Sequence, residues 1–120
     1  FMTTNIILQK SEDFALSIIR LYQKLQKEWE FVISKQLLRS GTSIWANIAE
    51  ANSSQSKKDF YAKMCIAYKE AHESSYWLRL LERSSLTDQD ITPYKNDCDE
   101  IIRMLAKIKL TTESNLKDWI

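Results

Sequence analysis

Residues 60–81 read FYAKMCIAYKEAHESSYWLRLL, and within them Phe60, Met64, Ala67, Ala71, Ser74, Leu78 and Leu81 recur at alternating intervals of four and three. An interval averaging about 3.5 keeps successive side chains on one face of an α-helix, whereas a half-buried strand repeats every second residue. Ser56 supplies an N-cap just upstream. The stretch therefore predicts a helix of about 28 residues, roughly 42 Å long, with one face turned to a core.

The same spacing recurs on both sides. Ile33, Leu37, Gly41, Ile44, Ile48 and Ala51 form an apolar stripe before it, in a segment beginning near Glu30; Tyr94, Cys98, Ile101, Leu105 and Ile108 form another after it. Nearest the N-terminus, Ser11 with Glu12 and Asp13 reads as a cap and acidic first turn for a helix over about 12–27, which presents Phe14, Ile18, Leu21, Tyr22 and Leu25. Residues 1–11 then read as an N-terminal extension, with Phe1 a non-native residue ahead of Met2, and residues 111–120 as a tail without a period. Asn52, Ser53, Ser54 and Gln55 form a polar break. In the connector 84–92, Thr87 with Asp90 can cap a single turn, and Thr92 then Pro93 suits the start of the last helix. Four amphipathic helices over 12–110 with short links predict an all-α, antiparallel up-down-up-down four-helix bundle, in which the third helix projects past the first.

Composition agrees. One Gly, one Pro and one Val in 120 residues, against thirteen Leu and thirteen Ile, leave little with which to build hairpins or strands. Seventeen Lys and Arg face sixteen Asp and Glu, for a formal charge of +1 with mixed signs throughout, so global charge selects no partner. No apolar run is long enough to span a bilayer and no leader pattern is visible, which implies a cytoplasmic protein without a membrane partner.

Chemistry is equally constrained. Cys65 and Cys98 make no CxxC or Cys/His cluster, so no metal site is expected and both read as reduced, packed thiols. The only histidine, His72, follows Lys69 by three positions where a di-iron bundle needs a Glu, and the only glycine, Gly41, is mid-helix and makes no phosphate loop. Glu70 and Glu73 share a helical side and can meet Glu50, a pattern that suits interhelical ion pairs better than a catalytic pair. No catalytic residue and no cofactor are expected, and the chain reads as a non-enzyme.

Two features suggest contacts instead. Beside the apolar stripe of the second helix runs a polar one, Gln36, Ser40, Ser43, Asn47 and Glu50, again at four, three, four and three. Solvent faces carry charges, as Glu28, Glu30 and Lys35 do just upstream; short hydroxyl and amide side chains suit close helix approach, and Gly41 beside them predicts another helix passing near. Trp45, Tyr61, Cys65, Tyr68, Tyr76, Trp77 and Leu80 add apolar surface beyond one seam, as subunit interfaces do. Separately, Arg20, Lys24 and Lys27 line one side of the first helix and Lys57 and Lys58 open the third; repeated around a ring, such rows would form a basic surface for phosphate contacts.

Gln36-Leu37-Leu38-Arg39-Ser40 followed by Ser43-Ile44-Trp45-Ala46-Asn47-Ile48-Ala49-Glu50, with Ile66-Ala67, Ala71, Glu73 and Leu78 further on, closely resembles the motifs of the four-helix bundle proteins encoded in bacterial ribosomal RNA intervening sequences. That family is related to the accessory variability determinant of diversity-generating retroelements. The resemblance implies a barrel-shaped homopentamer of four-helix protomers. The polar stripe and its neighbours Gln36, Arg39, Ser40, Gly41, Ser43, Asn47, Glu50 and Glu73 read as a helix-packing or oligomer seam. The polar seam, the surplus aromatic surface and the resemblance together point to a non-enzymatic homo-oligomeric scaffold or adaptor in contact with RNA or a protein partner; the alternative, from the basic rows, is an RNA- or DNA-binding module using Arg20, Lys24, Lys27, Lys57 and Lys58.

Overall fold

The stripes read from the sequence become the inner faces of four α-helices: α1 (Met2–Lys27), α2 (Ile33–Asn52), α3 (Lys57–Ser84) and α4 (Thr92–Lys117). The computed structural model describes residues 2–117, and no strand occurs among them. The helices pack as a bundle 52 Å long and 22 Å across. Chain neighbours pack most extensively, α2 with α3 above all, while α1 and α4 touch less than any chain neighbours do.

Every apolar position of the α3 repeat from Met64 to Leu81 is buried, and Phe60 packs against the core from its edge. The stripes of α2 (Leu37, Ile44, Ile48, Ala51) and α4 (Cys98, Ile101, Leu105, Ile108) meet it there, together with Phe14, Ile18, Leu21 and Leu25 of α1. Ser56, in extended conformation, caps α3 by accepting the Asp59 N–H at 3.1 Å, and Ser85 ends the helix with φ 61°. The two cysteines are free thiols; Cys98 is buried with its Sγ 3.3 Å from the Ala71 carbonyl, and burial pushes its pKa up to about 12.

Four sequence expectations need correction. α1 does not begin at Ser11: residues 2–11 are helical, Ile7 is fully buried, and Ser11 is itself a core position whose hydroxyl donates to the Leu8 carbonyl at 2.9 Å. The spacing Ile7, Ser11, Phe14, Ile18 continues the core stripe, but a small polar residue at one of its positions imitates a cap. At the other end, α4 continues through residues 111–117; Thr111 and Thr112 return their hydroxyls to the Lys107 and Ile108 carbonyls, and Thr112 takes a buried position. The remainder of the expected tail, 118–120, and the reading of Phe1 lie outside the described residues. With α1 extended to 26 residues against 28 in α3, the long overhang expected of α3 disappears. The connector 85–91 holds no helical turn; Thr87 donates to Glu28 instead, and Asp90 accepts the Thr92 N–H where α4 begins.

The α1–α2 turn is built from charge rather than glycine. The Trp29 N–H reaches the Gln26 carbonyl and the Glu30 N–H reaches that of Leu25, closing α1 over Trp29 at φ 64°. Glu30, only 7% exposed, does not lie on a solvent face as its neighbours suggested. Its carboxylate accepts the N–H groups of Val32 (3.1 Å), Ile33 (2.8 Å) and Ser34 (2.6 Å), the unsatisfied donors at the start of α2. Gln26 donates to Ser34 Oγ at 2.8 Å and to the Glu30 carbonyl at 3.1 Å. Glu28 holds the α3–α4 connector to the same end through Gln89, Thr87 and the Asp88 N–H; the Gln89 bond first, then that of Thr87, keeps its pKa below the ordinary carboxylate value.

Burial raises the pKa of Glu30, but the combined bonds from Ser34, Ile33 and Val32 outweigh it, so the carboxyl titrates below its ordinary value. A depressed folded-state pKa stabilises the protein above the unfolded value and loses that effect as pH falls through the folded value. Glu30→Gln is therefore expected to cost about 2 kcal/mol at neutral pH. In denaturant titrations at a series of pH values, the gap between the two proteins should close below roughly pH 4.

Candidate functional site

The polar stripe of α2 sits where this helix meets α3, and the structure divides it. Ser40 is fully buried, its hydroxyl 2.8 Å from that of Ser74, which also donates to the Glu70 carbonyl. Arg39 bridges to Glu70 at 3.2 Å and to Glu73, and Glu73 also accepts the Trp77 indole N–H at 3.2 Å. Glu50 pairs with Lys63 at 2.8 Å. The other three members make no side-chain bond to another helix among the described residues: Ser43 donates to its own helix at Arg39, Asn47 donates to Ser43, and Gln36 is exposed. One edge of the stripe is thus a helix-helix contact and the rest lies open beside it.

Gly41, next to Ser40, faces the opposite neighbour. A Cβ built there meets both γ-carbons of Ile18 at 3.3 Å, so α1 crosses α2 at this residue as the mid-helix glycine implied. Small residues at 40 and 41 let α2 approach α3 on one side and α1 on the other.

The basic residues do not form one surface. Arg20, Lys24 and Lys27 are all exposed on α1, and Lys27 lies at the end holding the α1–α2 turn and the connector that Glu28 anchors. Lys57 and Lys58 are exposed at the other end, where Lys57 lines a cleft of about 710 Å³ between the α2–α3 link and the last turns of α4, floored by Ala51, Phe60 and Ile108. The chain thus carries two basic groups, one at each end.

No group of three or more His, Cys, Asp or Glu is placed to hold a metal ion among the described residues. His72 is exposed with its ring against Tyr68, centroids 4.5 Å apart. No described helix is long and apolar enough to cross a membrane. Sequence reasoning missed three participants. Lys63 carried no motif, Ser74 was visible only as a core position of the α3 repeat, and Trp29 gave no sign of its backbone geometry because the turn lacks glycine.

The family described as 23S rRNA-intervening sequence protein matches residues 3–107. This chain belongs to that family. Its match includes residues 3–11, consistent with their place in α1 and not in an appended extension. The chain is also similar to a crystal structure of a protein of unknown function from the S23 ribosomal protein family of Bacteroides thetaiotaomicron VPI-5482. The two are 47% identical with a TM-score of 0.84, over 89% of this chain and 97% of that one. No curated protein matches the chain.

The crossing at Gly41 is expected to show a steep dependence on size. Gly41→Ala should change stability by less than about 1 kcal/mol, because the gain in helix propensity offsets the small displacement of Ile18. Gly41→Leu should cost about 3 kcal/mol through overpacking, measured by urea unfolding with circular dichroism.

Proposed function

We propose that this protein is a non-enzymatic scaffold or adaptor subunit that assembles with copies of itself into a ring-shaped cytoplasmic homopentamer of antiparallel, up-down-up-down bundles. The carrying observation is the open part of the α2 stripe: Gln36, Ser43 and Asn47 present polar groups that no other helix of the protomer takes up among the described residues. Exposed Trp45 on the same helix and Ile66 and Tyr76 on α3 supply apolar area for such a contact. The number five comes from the family resemblance. Paired residues support the topology, since Ser40 meets Ser74 while Glu50, further along α2, meets Lys63, earlier in α3. The non-enzymatic reading is supported by the pairing of Glu50, Glu70 and Glu73 with Lys63 and Arg39.

A second reading, binding of RNA or DNA, is favoured by the row Arg20, Lys24 and Lys27. All three are exposed, and none takes part in an ion pair among the described residues. In a ring the row would be repeated in each protomer, building local positive potential from a nearly neutral chain.

Light scattering after size exclusion is expected to give about five times the 14.1 kDa chain mass, and a monomer at micromolar concentration overturns the assembly. Asn47→Leu should lower that mass while leaving helix content unchanged, because among the described residues the Asn47 side chain bonds within α2 alone. Unchanged mass would exclude the open stripe as the interface.

A further inference from the structure

The α1–α2 turn ends in side chains that the fold does not use. Trp29 and Val32 are the most exposed large apolar residues among those described, at 81% and 72%, with Phe31 beside them at 48%. Trp29 takes φ 64°, a left-handed position that glycine fills without strain at the end of a helix and a bulky aromatic fills at a cost. The cost brings no burial, so packing does not explain the residue. The turn is nonetheless firmly held, by the amide bonds of Trp29 and Glu30 into the last turn of α1 and by the Glu30 carboxylate under α2. The rings of Trp29 and Phe31 stand edge to face, 6.0 Å between centroids and 76° between planes, on a rigid base with their outer surfaces in water.

The row Arg20, Lys24 and Lys27 runs along α1 to this turn, over roughly 10 Å from first to last. A line of cations ending in exposed aromatic faces is the arrangement that takes a strand of phosphates and the unpaired bases hanging from it. A bilayer touching the tip of the bundle would leave Arg20 well below its surface. Asp88 and Asp90, exposed on the connector fastened to the same end, would oppose a broad anionic surface while leaving the row on α1 open. Of the acids that follow the row in sequence, Glu30 is buried against amides, and Glu28 keeps its charge but directs its carboxylate to Thr87 and Gln89 on the connector.

We propose that the Trp29–Phe31 turn stacks unpaired bases of a single-stranded nucleic acid whose phosphates follow Arg20, Lys24 and Lys27. This rests on the nucleic-acid reading above and adds to it a site and a preference for single strands.

The test uses the full chain and fluorescence anisotropy with labelled oligouridylate, oligothymidylate and a duplex, from 50 mM salt upward. The expected result is binding of single strands in preference to duplex, with a salt slope near −2 for three phosphates. Trp29→Gly, which suits φ 64° and should fold normally by circular dichroism, and Phe31→Ser should each weaken binding roughly tenfold without changing the slope. Lys24→Gln should reduce the slope by about 0.7. If the aromatic variants bind as the parent does, or duplex binds as well as single strand, the stacking site is overturned while nucleic-acid binding stands. If the parent binds no oligonucleotide at 50 mM salt, both fall. Binding only to anionic lipid vesicles, lost in Trp29→Gly, would replace the proposal with a membrane contact.

Discussion

The close passage of α1, α2 and α3 at the middle of α2 is the constraint on which the rest of the bundle depends. Gly41 lets Ile18 come within a methyl group of the α2 backbone, and Ser40, the preceding residue, meets Ser74 through a buried hydroxyl pair. A helix packed on two sides needs small residues on both, and the chain spends its one glycine here and not in a turn. Ser74 interrupts the α3 stripe for the same reason, since a Leu there would push α2 away. Each buried hydroxyl is satisfied, so the crossing gains proximity without orphaned polar groups.

With the glycine committed to packing, the α1–α2 turn is closed by other means. Glu30 serves as a side-chain cap for three amides, Gln26 ties the turn to Ser34, and Trp29 accepts a backbone geometry ordinarily left to glycine. Glu28 does the corresponding work for the α3–α4 connector, so one end of the bundle is fastened by two neighbouring carboxylates with different partners. Those same bonds hold the backbone that carries the exposed aromatic pair. Stability and a candidate binding surface thus share one local network.

Much of this was legible in the sequence because helix packing is written in periodicity. The intervals of four and three in residues 60–81 and 94–108 identify the core faces correctly, and the mid-helix position of Gly41 marks a close approach. The errors arose where a polar residue stood in a core position. Ser11 and Thr112 are each at the proper spacing, but a hydroxyl bonded to its own helix looks in sequence like a cap or a tail. Glu30 failed in the opposite way, as a charge between helices that reads as solvated until the amides it accepts are placed.

By itself the sequence determined the all-α class, four helices, their inner faces, the crossing at Gly41 and the family. These follow from spacing and residue type, which act over one or two helical turns. Only the tertiary structure decided which polar residues of the α2 stripe cross to α3 and which stay open, and that the basic groups occupy opposite ends. It alone revealed Trp29 as a strained and exposed residue. Such properties depend on the relative rotation of packed helices and on the backbone angle at a turn, and neither has a period to be read along the chain.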